Sequence, residues 1–471
     1  MGDWTLFIPE LTILAGAIVA FVLSAANAPR KIAWGASVVM AVAGLVAILL
    51  KLGANGEPFF AGIYGVDAFS QTLKLGIVVG LLLTTLITGS ARSFRAGVRI
   101  DIPVFLFFSA LGMMMLVSAT ELLTLYVALE LSAYGLYILA ALHVMQRRGS
   151  EAAAKYILFG AASSAVSLYG ISLIFAASRS TYLIEITQAP ASPLLLVGVF
   201  LALSGVLFKL AVFPFHAWAP DVYEGAPHEA VAFIGTASKV AAVGVIARLL
   251  HLVASDERSI AAAMLILCVA SMTVGNLAAM GQKDLKRLLA YSTVAHAGYI
   301  MIGLACLSAM GVSAAVFYAL TYVPVVFCVF VVVSVLGSDG SNPTRASLAG
   351  LYSRSPLLLV TLLVGMFGLA GIPPTVGFAG KWFLFSAAID SGYLWLVVVG
   401  AVNATISLYY YLSVVKEAIL TPAPDDAPAV RISPAVALAV WLAIGLTLVV
   451  GFYPRWVWEL AEGAGRALIG A

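Results

Sequence analysis

Residues 356–389 read PLLLVTLLVGMFGLAGIPPTVGFAGKWFLFSAAI, and Lys381 is the one charged residue among them. The run is apolar enough for a membrane. It is also longer than the ~20 residues that a straight helix needs to cross a hydrocarbon core of about 30 Å. Its middle, Gly371-Ile372-Pro373-Pro374, cannot continue a helix, because each proline removes a backbone donor and crowds the preceding turn. The stretch therefore predicts a membrane helix broken halfway, with a lysine about two turns beyond the break. Irregular backbone at membrane depth persists only where protein encloses it or where it lines a hydrated cavity. One segment thus already defines an all-α polytopic membrane protein with a polar interior.

The rest of the chain agrees. Of 471 residues, 62% are hydrophobic and 10% charged, and the mean hydropathy is +1.07. Soluble domains carry about 25% charged residues, so a water-soluble enzyme, a disordered chain and a disulfide scaffold are excluded. The net charge of +3, from 25 basic and 22 acidic residues, is too small to imply a nucleic-acid partner. Cys268, Cys306 and Cys328 lie apart in apolar runs. They lack the clustered spacing of iron–sulfur or zinc ligands and read as small buried hydrophobes. There is no GxGxxG, Walker A or HExxH motif. No metal, cofactor or redox centre is therefore expected in this chain.

Apolar runs set against turn and charge breaks give fourteen spans, near 5–26, 32–52, 68–91, 102–119, 121–143, 154–177, 193–213, 229–251, 259–280, 285–307, 312–337, 356–389, 393–416 and 432–454. The seventh ends at Phe213-Pro214-Phe215 and runs on as a semi-polar stretch, a second interrupted helix. Asp3 and Glu10 precede the first run, where a signal peptide would need basic residues, so it is read as a retained helix. With the N-terminus outside, fourteen loop Lys and Arg residues lie inside, among them Arg30, Lys31, Arg92 and Arg431. Six lie outside: Lys51, Arg179, Arg248, Arg258, Arg455 and Arg466. That asymmetry orients the chain and places both termini on the outer side.

Five lysines fall within spans. A charge at the bilayer centre costs roughly 2.5–3.5 kcal/mol on insertion scales and persists only where it faces the bundle interior. Lys74 and Lys155 sit near span ends, where snorkelling accounts for both; Glu151 also stands one helical turn before Lys155. Glu130, Lys209, Lys239 and Lys381 are different. Glu130 and Lys239 lie mid-span, Lys209 lies one turn before the Pro214 break, and Lys381 follows the Pro373-Pro374 break. One carboxylate can form a structural pair with one lysine but not with three. A row of buried groups whose protonation states are coupled is what lateral proton movement through a low-dielectric layer requires. The bland alternative is a set of charges that merely locks helix register.

The broken spans are the seventh and twelfth, five apart. A five-helix unit enters the membrane from the opposite face in its second copy, so two inverted repeats are expected. An ungapped match supports this: Glu121-Leu122 falls on Asp284-Leu285 and Gly135 on Gly298, with Thr293 in the place of Glu130. The expected organisation is an N-terminal three-helix segment (1–100), repeats over 101–251 and 259–417, and a C-terminal helix with a short tail (432–471).

The stretch from Lys209 to Pro227, KLAVFPFHAWAPDVYEGAP, closely resembles a signature of the antiporter-like membrane subunits of bacterial respiratory NADH:quinone oxidoreductase, complex I. Lys286-Arg287-Leu288-Leu289-Ala290-Tyr291-Ser292 and Gly371 to Lys381 are similar to the same family. The run Pro220 to Pro227 favours its subunit N branch. The resemblance spans nearly the whole chain. It implies a proton-translocating subunit coupled to quinone reduction elsewhere, with Glu130 paired to Lys209 at the entry side, Lys239 as central relay and Lys381 on the exit side. Lys155 matches a further family lysine, and His216 and His296 are either relay support or packed, hydrogen-bonded groups. His143, His228 and His251 read as interfacial. Asp221, Glu224 and Glu229 read as a proton-collecting, subunit-contacting or solvated acidic loop, and Lys283, Lys286 and Arg287 as inner-side anchors. NADH, FMN, iron–sulfur clusters and quinone would belong to partner subunits, and the partners would be neighbouring membrane subunits and the lipid of the bacterial inner membrane. The rival is a subunit of a multi-subunit sodium/proton antiporter. The short end after Tyr453 argues against the longest antiporter-like subunit.

Overall fold

The computed structural model describes residues 4–143, 146–252, 257–424 and 430–470; Asp3 and the Arg258 side chain lie outside the described residues. Among the described residues the named elements are all helical. Twelve helices are long and apolar enough to cross a membrane, and the shorter Ile102–Ser118 and Pro356–Ala370 stand at the fourth and twelfth expected crossings.

An N-terminal group comprises α1 (Ile8–Ala25), α2 (Arg30–Leu50) and α3 (Ala68–Thr88). It leads into α4 (Ile102–Ser118), α5 (Leu122–Ala141), α6 (Gln146–Ser178) and the short α7 (Leu183–Thr187). The seventh crossing is α8 (Pro193–Ala202) and α9 (Ser204–Leu210), followed by α10 (Trp218–Gly225). The eighth is α11 (His228–Gly235) and α12 (Ala237–His251). Then come α13 (Glu257–Met280), α14 (Leu285–Ala305), α15 (Ala309–Leu336) and α16 (Leu351–Arg354). The twelfth crossing is α17 (Pro356–Ala370) and α18 (Val376–Asp390); α19 (Leu394–Leu420), α20 (Pro434–Phe452) and α21 (Arg455–Ile469) complete the chain.

Both expected breaks are present. Helix α9 stops at Ala211, whose φ of 65° is left-handed, and α10 begins only at Trp218. Helix α17 stops at Gly371 (φ 80°), and α18 resumes at Val376. A third break was not foreseen: Thr236 (φ −114°, ψ −86°) separates α11 from α12, three residues before Lys239. The only local signal is Gly235, the last residue of α11, and a lone glycine within a helical pattern does not fix a break.

The repeat is visible in backbone contacts. A Cβ on Gly112 of α4 would meet Ser132 N of α5 at 2.4 Å, and one on Gly135 of α5 would meet Phe105 O of α4 at 2.6 Å. In the second half a Cβ on Gly275 of α13 would meet Ala295 N of α14 at 2.5 Å, and one on Gly298 would meet Cys268 O at 2.9 Å. Every partner in the second set stands 163 positions after its counterpart in the first. Such close approach brings the backbones of a helix pair together and excludes any side chain between them. The caps repeat as well: Glu121 accepts from Thr124 N at 2.7 Å, and Asp284, again 163 positions on, accepts from Lys286 N at 2.8 Å. Five crossings separate the copies, so the chain traverses them in opposite senses.

The centre is formed by α3, α11–α12, α14 and α15, and the best apolar window of 228–251 is wholly buried. Helices α2 and α19 are peripheral, with a third of the corresponding windows buried. This layout corrects several readings of the charges. Lys74 does not snorkel: it is fully buried on α3 and forms a 2.6 Å ion pair with Glu10 of α1, which also accepts from Tyr64 Oη at 2.6 Å. His143 and His228 are buried rather than interfacial, and His228 Nε2 contacts Gly337 O at 2.9 Å. Glu229 is buried and takes hydrogen bonds from Ser93 and Ser334, the latter at 2.8 Å, so it is not solvated. Lys286 is no surface anchor; it is buried and donates to Ala226 O at 2.7 Å. The C-terminal tail is itself a helix, α21, with Trp458 stacked on Phe383 of α18 at 4.0 Å between centroids.

Candidate functional site: a buried lysine array

Glu130 lies midway along α5 and is half-buried on its flank. Its carboxylate accepts a hydrogen bond from Ser164 of α6. The expected direct pair with Lys209 is not formed. Lys209 Nζ donates instead to Ser132 Oγ at 2.8 Å, two residues along α5 from the acid, and Ser132 in turn donates to Leu129 O at 2.6 Å. Glu130 and Ser132, two residues apart, point to different sides of α5, and the acid's hydrogen bond runs to Ser164 rather than to the serine that holds Lys209.

Lys209 is buried in the last turn of α9, where the break leaves backbone carbonyls without helical partners. Lys239 of α12, 1% exposed, uses one of them: its Nζ donates to Lys209 O at 2.7 Å. The same ammonium lies 5.3 Å from the Trp218 ring centroid, and the Trp218 indole is anchored on Phe208 O at 2.9 Å. In the second half Lys381 reaches back across its own break. Its Nζ donates to Ala370 O at 2.8 Å and Leu369 O at 3.2 Å, the last carbonyls of α17, and lies 4.9 Å from the Tyr299 ring centroid. Each break thus presents carbonyl oxygens, the negative end of a helix dipole, to a buried lysine. Ion-dipole and cation–π contacts replace the missing counter-ions.

His296 of α14 joins three hydroxyls in the second half. Its Nδ1 lies 2.7 Å from Tyr318 Oη and its Nε2 3.0 Å from Tyr411 Oη, which lies 2.5 Å from Ser292 Oγ. Tyr322 Oη donates to Thr293 Oγ1 at 3.1 Å, and its ring is 5.1 Å from that of His296. A cavity of about 10 Å³ lies between His296, Tyr318, Thr321 and the end of α17 at Leu369. That is close to the room one water occupies. No direct hydrogen bond among the described residues joins Lys239 to this cluster; Tyr223, Thr293 and Tyr322 occupy the interval.

Lys155 and His216 stand apart from the array. Lys155 is 37% exposed and pairs with Glu151 at 2.9 Å and Asp221 at 2.7 Å. Asp221 also binds Arg287 at 2.8 Å, and Arg287 binds Glu224 at 2.7 Å. Burial pushes the Asp221 carboxyl up, but Lys155 and Arg287 outweigh it and hold it below the ordinary carboxylate range. These groups line a recess of about 240 Å³. His216 lies in the segment between α9 and α10, half-buried, its ring 5.5 Å from that of Phe213. Sequence reading missed Ser132, Ser164, Tyr318 and Tyr411. Hydroxyls are common in membrane helices, and only their position beside a charge marks them.

A family model described as NADH:quinone oxidoreductase/Mrp antiporter, TM, matches residues 119–407, which hold all of these groups except Tyr411. The chain belongs to this family of membrane subunits. It is 43% identical, over 99% of its length and 100% of the relative's, to NADH-quinone oxidoreductase subunit N 2 of Syntrophobacter fumaroxidans. It is 44% identical, over 98% of each chain, to NADH-quinone oxidoreductase subunit N 2 of Solidesulfovibrio magneticus. Its fold is similar to a chain of respiratory complex I from Thermus thermophilus, with a TM-score of 0.85 and 34% identity over 96% of this chain and 99% of that one.

Proposed function

We propose that this chain is a proton-translocating membrane subunit of a respiratory NADH:quinone oxidoreductase. The observation that carries the reading is the linked set Ser132, Lys209 and Lys239, with Glu130 two residues from Ser132 on α5: two buried lysines joined to one another and, among the described residues, no carboxylate in contact with either. Relatives named subunit N at 43–44% identity supply the context. NADH, FMN, iron–sulfur clusters and quinone reside in partner subunits. Their redox energy arrives here as a charge or conformational change beside Glu130, whose half-buried flank is where a neighbouring membrane subunit meets the array.

Removing the negative charge near Ser132 destabilises the proton on Lys209, since burial disfavours an ammonium lacking its partner. The proton then passes toward Lys239, whose ammonium is held against the Lys209 carbonyl. Beyond Lys239 it follows Thr293, Tyr322 and His296, with mobile water completing contacts the hydroxyls do not make, and reaches Lys381 on the exit side. Lys155 and Asp221 form the inner rim, and His216 lies along the α9–α10 connection as support. Residues 101–251 and 259–417 act as the two inverted half-channels, 1–100 as a lateral brace and 432–471 as a C-terminal clamp. The protein sits in the bacterial inner membrane with both termini on the outer side.

Mass spectrometry of the natively purified assembly tests this reading. Copurification with an NADH-oxidising peripheral arm is expected; copurification with small antiporter subunits and no such arm would instead assign the chain to a sodium/proton antiporter.

A further inference from the structure

Two cavities meet at one threonine. The first is the water-sized cavity beside His296, which Leu369 and Thr321 both line. Leu369 O is one of the two carbonyls that hold Lys381 Nζ, so this cavity adjoins the last lysine of the array. The second is a cleft of about 70 Å³ between α3, α15, α20 and α21, and Thr321 lines it too. Its other walls are apolar, formed by Leu75 and Gly76 of α3, Val450 of α20, and Trp456 and Leu460 of α21. These residues stand in early turns of α3, the last turn of α20 and the first two turns of α21. The cleft therefore runs from the corner between α20 and α21 to the middle of α15. It narrows at Gly76, where a Cβ would meet Leu320 Cδ2 at 2.7 Å. Thr321 is buried, and its hydroxyl donates to Phe317 O at 2.8 Å, which leaves Oγ1 able to accept. Three residues on, Pro324 lacks an N–H and cannot close the helical bond to Leu320 O. A hydroxyl and a carbonyl of α15 are thus set beside an apolar wall.

We infer that Thr321 is the gate of a proton outlet that leaves the array under α21. The inference rests on the translocating role and the orientation proposed above, and adds the way out. A constriction walled by apolar side chains conducts when it is wetted and seals when it is dry. While the cleft is dry, the proton on Lys381 has no contact with the outer side, and protons there cannot return. When the cleft wets, Lys381 gives its proton to water in the His296 cavity and is left as the neutral amine. That water donates to Thr321 Oγ1, and the Thr321 hydroxyl turns from Phe317 O to donate into the cleft. One proton joins the hydroxyl as another leaves it, so Thr321 stays neutral throughout. Helix α21, which supplies Trp456 and Leu460, is the outer wall of this gate.

The test measures protons moved per NADH oxidised by the intact complex in sealed vesicles, normalised to assembled complex. Thr321→Val keeps the branched shape and removes the hydroxyl. The share of protons that this subunit moves should fall severalfold in it, and Thr321→Ser should restore that share. Leu460→Trp, which fills the cleft from α21 and leaves Thr321 intact, should act like Thr321→Val. If Leu460→Trp fails to assemble, the threonine pair still decides. Full pumping in either assembled variant would overturn the outlet. So would a loss in Thr321→Val that Thr321→Ser shares, because the residue would then serve packing alone. Lys239→Ala, measured beside them, separates the two claims. Pumping lost in Lys239→Ala but kept in Thr321→Val and Leu460→Trp sinks the outlet only, whereas full pumping in all three sinks the translocating role itself.

Discussion

Lys239 donates its ammonium hydrogen to the backbone carbonyl of Lys209 at 2.7 Å, across the break that ends α9. The central lysine is therefore bonded to the main chain of its neighbour. Any movement of the broken helix changes the surroundings of both amines at once. Coupling requires an element with two arrangements, and loss of the Lys239 contact to this carbonyl would supply the second.

Ser132, the acceptor of Lys209, should carry coupling in the first half of the chain. Ser132→Ala removes the acceptor of Lys209 while leaving every charge in place. Proton pumping per NADH oxidised is expected to fall by about half or more, while quinone-analogue reduction by the assembled complex continues, as the loss of one hydrogen bond to a charged group weighs about 1.5–3 kcal/mol. Undiminished pumping in Ser132→Ala would show that Lys209 does not depend on this contact.

In the second half, Tyr411 links His296 to Ser292. Tyr411→Phe keeps the ring packing and deletes the hydroxyl. Pumping should drop severalfold with assembly intact, and His296→Gln should resemble it. If both variants pump normally, the hydroxyl cluster is packing and His296 is a satisfied core histidine.

The glycine contacts make a structural prediction. Gly298→Leu places a side chain where even a Cβ meets backbone at 2.7 Å. Overpacking of this kind costs about 1–3 kcal/mol or more, and assembled complex on native gels should fall severalfold. Gly445→Ala, with nothing within 4 Å of the added atom, should assemble at the level of the unaltered protein. Equal yields for both would contradict the close packing of α13 on α14.

The Lys155–Asp221–Arg287 network predicts what should not depend on pH. Asp221 is held below its ordinary value despite burial, by Lys155 and Arg287. A carboxyl depressed in the folded state adds stability that is complete above its unfolded value of about 3.9 and is lost only as pH falls through the folded one. Asp221→Asn should therefore lower the thermal midpoint of the complex by the same small amount at pH 5 and pH 8, about 1 kcal/mol or less for such a partly exposed network. A difference present at pH 8 and absent at pH 5 would contradict the assignment.

Fourteen crossings, both proline-marked breaks and the five-helix repeat were legible in the sequence, because hydropathy runs and proline pairs act locally. Partners across the fold were not. Glu10 and Lys74 are remote in the chain, and each looked like an end-of-helix charge; that they meet at 2.6 Å depends on how α1 lies against α3. Glu130 and Lys209 are expected from sequence to touch, yet Glu130 bonds Ser164 and Lys209 bonds Ser132, because sequence places residues on helices without fixing helix rotation. The Thr236 break lacked any residue that forces it. Helix α21 reads as a tail in sequence because its polar face, with Arg455–Glu459 and Arg466–Glu462 pairs, dilutes its hydropathy.

The most direct measurement is the number of protons moved per NADH oxidised by the complex carrying Lys239→Ala, reconstituted in sealed vesicles and normalised to assembled complex. Loss of the share of protons that this subunit contributes is predicted, with electron transfer slowed or uncoupled. Full proton stoichiometry with normal assembly would contradict the account, leaving Lys239 a structural cap on a broken helix.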